Sequence, residues 1–159
     1  MEQSFDYDRF CEDARKFYTT LRPLWSHALN DFVCFTAEGF NHLLFKSSRR
    51  ERECSSQIVR FKLLPRAVTL IGHSTTYQEY EETIREFESR DHKRRVWKNK
   101  TIRYWGIIAI IDRRKIKVVL RKIGDTGQLH FWSVIPAWTT SKHRDIKLFS
   151  TMDGNPEED

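Results

Sequence analysis

Two tight, polar turns divide the last third of the chain into three strand-length segments, and this punctuation constrains the fold more than any other feature. Residues 101–112, 115–123 and 128–135 are rich in β-branched and aromatic side chains, the types that pack best on a pleated, half-buried surface. Asp112-Arg113-Arg114 and Gly124-Asp125-Thr126-Gly127 separate them. Connections this short join antiparallel neighbours, so the segments predict a meander. In the middle segment Ile116, Val118 and Leu120 alternate with Lys115, Lys117, Val119 and Arg121, which assigns Lys117 and Arg121 to its polar face, within reach of a phosphate. In the last segment His130 and Trp132 fall on one side, and Leu129, Phe131, Ser133 and Ile135 on the other. With His130 and Trp132 outward the indole can stack a base; with Ser133 outward its hydroxyl can bond a phosphate oxygen.

Upstream the apolar period changes to that of helices. Phe10, Ala14, Phe17, Leu21, Leu24 and Ala28 predict one amphipathic helix over residues 6–29, kinked at Pro23. A short strand or bridge is expected at 31–35, then a helix with Thr36 as N-cap running to about Lys46, stapled by Phe35 and Phe40. On that helix Phe40, Leu43 and Leu44 point to one side, whereas His42, Lys46 and Arg49 recur at i, i+4 and i+7 on another. Ser55 or Ser56 caps a third helix that turns Ile58, Phe61 and Leu64 inward; Pro65 then opens a further short helix that Gly72 ends. Residues 75–100 suit either a helix or a strand. Their switch from Glu79, Glu81, Glu82, Glu86 and Glu88 to Arg90, Lys93, Arg94, Arg95, Lys98 and Lys100 is the pattern of a solvated hairpin or loop. Helices first and strands afterwards predict an α+β fold, with the helical layer on one face of the sheet.

Composition narrows the function. A chain of 159 residues is most simply one domain, taken as 1–150, followed by an acidic flexible tail over 151–159. Its formal net charge of +6 favours a polyanionic partner, because each cation that pairs with a phosphate releases condensed counterions. Cys11, Cys34 and Cys54 are odd in number and widely spaced, which supplies neither a disulfide framework nor a zinc site and suits a reducing cytoplasm. The acidic N-terminus is unlike a secretory leader, and no apolar run approaches membrane-spanning length. No membrane partner is expected. There is no GxxxxGK[ST], GxGxxG or GxSxG motif and no HExxH spacing, so neither a cofactor nor a metal is expected. His27, His73, His92 and His143 read as structural or surface residues.

The chemistry is concentrated in FNHLLFKSSRRERECSSQIVRFKLLP, residues 40–65. Cleaving RNA without a metal needs a base for the ribose 2′-OH, an acid for the 5′-oxygen and cations around the pentacovalent phosphate. His42 is the candidate proton carrier, set beside cations rather than inside an apolar run. Arg49, Arg50, Arg52, Arg60 and Lys62 are the candidate phosphate partners, of which about two can converge on one phosphate.

The order of HLLFK on a helix, RFKLLP on a basic helix, then the strands RYWGIIAIID and IKVVLRKIGDTGQLHFWSVIPAW, resembles the phage-associated branch of the barnase, EndoU, colicin and RelE-like nucleases, the BECR superfamily. The resemblance covers roughly residues 32–138. It implies N-terminal helices on an antiparallel β-meander of about four strands, and a small metal-independent ribonuclease, often a toxin with a protein antitoxin or inhibitor. It also implies an active site of His42, Arg50, Arg52, Arg60 and Ser133. The long charged insertion of residues 79–100 departs from a bare toxin domain, and would bind an antitoxin or shape substrate access. The reading is therefore a toxin-type endoribonuclease acting by 2′-O transesterification, with Lys46, Arg49, Lys62, Lys117, Arg121, His130 and Trp132 holding RNA. One alternative is a non-catalytic RNA-binding protein of the same fold, stacking bases on Trp132 or Trp138. Another is a helix-turn-helix over residues 38–62 that enters a DNA groove.

Overall fold

Proline decides where the first helix stops. In the computed structural model, which describes residues 2–47, 49–137 and 156–157, α1 (Glu2–Thr20) ends short of Pro23 instead of kinking there and continuing, since a residue preceding proline is driven out of the helical region. The chain beyond it forms a small hairpin, β1 (Leu24–Ser26) against β2 (Asp31–Val33), with Trp25 and Phe32 in edge contact at 5.0 Å. Leu24, Ala28 and Leu29 still pack on the core. Their helical spacing reported burial, not helix.

α2 (Ala37–Leu44) begins after Thr36, which occupies the N-cap position without a side-chain cap bond; its carbonyl accepts from Tyr18 Oη at 2.6 Å instead. The helix is shorter than its sequence predicts. β3 (Phe45–Ser47) and β4 (Arg50–Glu51) follow as a hairpin, so Lys46 and Arg49 do not share a helical face with His42. α3 (Cys54–His73) follows Glu53, with Ser55 and Ser56 inside the helix rather than capping it. It runs through Pro65 and Gly72 as one helix, not two. Phe61, Leu64, Ala67, Leu70 and Ile71 are buried on both sides of the proline, and at about 1.5–3 kcal/mol per large apolar side chain their burial exceeds the roughly 3 kcal/mol that an internal proline costs.

The sheet is an antiparallel meander in the order β5 (Glu79–Asp91), β6 (Arg94–Ile111), β7 (Arg114–Ile123), β8 (His130–Ala137). The α+β architecture is thus as the sequence predicts, with the charged stretch forming a hairpin of strands rather than a helix. Both two-residue turns, His92-Lys93 and Asp112-Arg113, hold their residues at positive φ, from 44° to 72°, the backbone that matches the twist of paired strands. β7 covers β6 only from Ile102 to Ile111. The outer part of the β5–β6 hairpin is therefore a two-stranded ribbon beyond the sheet, with Trp97 exposed on it.

One face of the sheet, with Ile107, Ile116, Val118, Leu120, Phe131 and Val134, joins the helices in the main core. The other carries a smaller cluster of Ile102, Tyr104 and Val119, flanked by Phe87, Ile123, Trp132 and Ile135. Trp132 sits in a β-bulge: Leu120 pairs with Phe131 and Val119 with Ser133, so Trp132 has no partner across the ladder. A bulge inserts one residue and re-aims its side chain. On the open edge of β8 the backbone of Cys34 bonds Leu129 O and Phe131 N, at 2.9 Å each. Gly39 then lets α2 press against that strand, since a Cβ there would collide with Phe131 O and lie 2.8 Å from Tyr18 Oη.

Candidate functional site

The close approach at Gly39 brings α2 alongside β8, and the two elements enclose a cleft of about 730 Å³ with β5, β6 and β7. Its walls include Glu38, Asn41, His42, Lys46, Arg85 and Tyr104, together with Arg121 and Trp132. Trp132 is the hub. The imidazole of His42 stacks on it at 4.0 Å and 18°, and the Arg121 guanidinium lies 3.5 Å from its ring centroid.

Each cation–histidine pair is internally satisfied. Arg52, buried, donates from Nε to the His42 carbonyl at 3.0 Å and lies with Nη2 3.3 Å from His42 Nε2. A guanidinium can only donate, so His42 Nε2 accepts and the ring proton resides on Nδ1. Arg121 repeats the arrangement: its Nε donates to His130 Nε2 at 2.9 Å, and His130 Nδ1 donates to Gln128 O at 3.0 Å. Burial lowers the pKa of His130, and the Arg121 charge adds to the effect. His130 is therefore a neutral acceptor that aims Arg121. Burial also lowers the pKa of Arg121, against the pull of Tyr104 and Glu38, and its Nη2 donates to the exposed Glu38 carboxylate at 2.7 Å. Beneath it Tyr104 is fully buried, with a pKa raised chiefly by burial against the pull of the Arg121 guanidinium beside its hydroxyl. A neutral phenol lining an electropositive cleft is a ready donor to an anion.

Of the residues singled out in the sequence, His42, Lys46, Arg121 and Trp132 line this cleft, and His130 stands behind Arg121. Arg52, Arg60 and Ser133 are buried in support of it: Arg60 Nη1 donates to Ser133 Oγ and Val134 O, at 2.9 Å each. Arg49 and Arg50 are exposed on the β3–β4 hairpin, outside the cleft lining. Lys62 lies over the ring of Phe10, 4.8 Å from its centroid, on the α1 side of the molecule. Lys117 does belong to the polar alternation, yet it is buried in an ion pair with Glu79 at 3.2 Å and is no surface cation. Trp138 and His143 lie outside the described residues.

In comparisons with protein-family models, with curated proteins and with solved structures, nothing matches this chain.

The site therefore rests on its own geometry. Sequence reasoning missed Glu38, Asn41, Arg85 and Tyr104. Glu38 was within its reach, because it precedes His42 by one helical turn on the same face. Arg85 offered no local signal within an alternating charge run. Among the described residues no cluster of His, Cys, Asp and Glu could hold a metal ion, and no helix is long and apolar enough to cross a membrane.

Proposed function

We propose that the cleft binds and cuts RNA, as the active site of a metal-independent endoribonuclease of the BECR kind. The observation that carries this reading is the convergence of His42, Glu38 and the Tyr104 phenol with Lys46, Arg85 and Arg121 on one cleft. Two acid–base groups and a phenol thus face three cations. In the reaction a base takes the 2′-OH proton as the 2′-oxygen bonds phosphorus. An acid protonates the departing 5′-oxygen, and a 2′,3′-cyclic phosphate remains. His42 is one of this pair and Glu38 the other. Arg121, held by His130 and Glu38, neutralises the pentacovalent phosphate, with Tyr104 donating to a non-bridging oxygen. A toxin role, with an antitoxin covering the cleft, belongs to the same proposal.

The test is incubation of purified protein with total RNA and with tRNA in EDTA, with the new ends mapped. The reading expects cuts that resist EDTA and carry cyclic phosphate, and a loss of about 10²-fold or more in rate for His42→Ala. A second reading, RNA binding without turnover, is favoured by one observation: His42 Nε2 already accepts from Arg52 while the ring is stacked on Trp132. It expects shifted RNA and no new ends. The helix-turn-helix alternative has little geometric support, since a β-hairpin separates α2 from α3 and Gln57 and Arg60 are buried.

A further inference from the structure

The same cleft already holds a piece of the chain. The indole Nε1 of Trp132 donates to Pro156 O at 2.8 Å, Pro156 is buried, and the Glu157 carboxylate lines the cleft and pairs with the Arg85 guanidinium. Glu157 lies 72 residues from Arg85 in sequence, so the pairing is a tertiary contact. The carboxylate thus occupies the kind of position that a phosphate oxygen would take, on a cation within the cleft that contains Arg121, Lys46 and Tyr104.

We propose that the acidic C-terminal segment is an intramolecular ligand of this cleft, with Glu157 standing in for a phosphate on Arg85, and that it must leave before a phosphodiester enters. The competition with RNA rests on the function proposed above; the docking of the segment does not. Arg85 is then a phosphate-binding residue in the segment's absence, and Trp132 reports its presence. Tethering makes such a device effective with weak contacts. An effective concentration on the order of millimolar keeps a segment of about 0.1 mM intrinsic affinity bound most of the time, which weakens a competing ligand about tenfold.

The experiment compares the full chain, a chain ending at Asn155, Glu157→Gln and Glu158→Gln. Two readouts are taken: affinity for a fluorescein-labelled, 2′-O-methyl 12-nucleotide RNA that cannot be cut, and the ¹⁵N indole resonance of Trp132, assigned with Trp132→Phe. Truncation and Glu157→Gln are expected to tighten RNA binding about tenfold and to move the indole resonance. A synthetic peptide of residues 151–159, added to the truncated chain, should restore the resonance and displace the RNA. Glu158→Gln removes the same charge and should stay within about twofold of the full chain. Equal effects of Glu157→Gln and Glu158→Gln, or an indole resonance that truncation leaves in place, would overturn the proposal. If no form binds the oligonucleotide while truncation and peptide still move the indole, the RNA reading falls and the docking of the segment stands.

Discussion

At the scale of single residues, two buried ionic features make separable predictions. His130 is held neutral by burial and by Arg121, so its pKa in the folded protein lies below the unfolded value of about 6.5. The unfolded chain then binds more protons as the pH falls through and below that value. Stability from this group is complete above about 6.5 and is lost on acidification. Urea unfolding between pH 7.5 and 5 should show a steeper loss for the wild type than for His130→Gln, and equal slopes would refute the assignment. Lys117 and Glu79 are both buried in their ion pair. Removing one partner leaves a charge without its counter-ion, so Glu79→Ala should cost about 3–5 kcal/mol, whereas a joint change to Leu and Met should be close to neutral. Equilibrium unfolding distinguishes the two. Lys117 also shows what alternation leaves open: a polar face is polar whether it meets water or a buried carboxylate, and only the pairing of β5 beside β6 reveals which.

Between elements, the decisive contact is α2 on β8. Gly39→Ala places a methyl group against Phe131 O and Tyr18 Oη; overpacking of this kind costs about 1–3 kcal/mol, and the retreat of α2 should also loosen the stack of His42 on Trp132. Thermal unfolding and the near-ultraviolet circular dichroism of the indole would register both. β7, β8, the inner part of β6 and the first half of α3 were legible because β-branched runs and an apolar stripe are local signals, whereas β5 suited a helix as well as a strand and the continuation of α3 through Pro65 was misread. The bulge at Trp132 was not, because it exists only relative to the register of β7, and it breaks the simple alternation from which opposite sides for Trp132 and Ser133 were read. The limits of α1 and α2 were misread for a related reason: apolar spacing records which residues reach the core, and a hairpin can satisfy it as well as a helix. The β5–β6 ribbon belongs to this scale too. Arg94, Lys98 and the turn residue Lys93 are exposed on it, and if the ribbon tracks an RNA backbone, changing all three to Ser should lower the slope of log K against log salt by up to about 2 without affecting the unfolding midpoint. An unchanged slope would return the ribbon to a purely solvated role.

For the whole molecule, the four-stranded sheet has two edges and treats them differently. At β8 the edge is occupied by the Cys34 backbone and by Arg60. Beyond β5 no strand is paired among the described residues, and 13 residues of backbone form the outer margin. A long unpaired margin is a template for strand addition from a second molecule. Here it carries Glu81, Glu82, Glu86 and Glu88 together with Arg85 and Arg90, Glu79 being buried against Lys117. Two copies aligned antiparallel about Arg85 would set Glu82 against Glu88 and Arg85 against its own counterpart. The charged run that reads as a solvated hairpin in the sequence therefore also opposes strand-to-strand association of a basic, aromatic-rich protein through its own sheet.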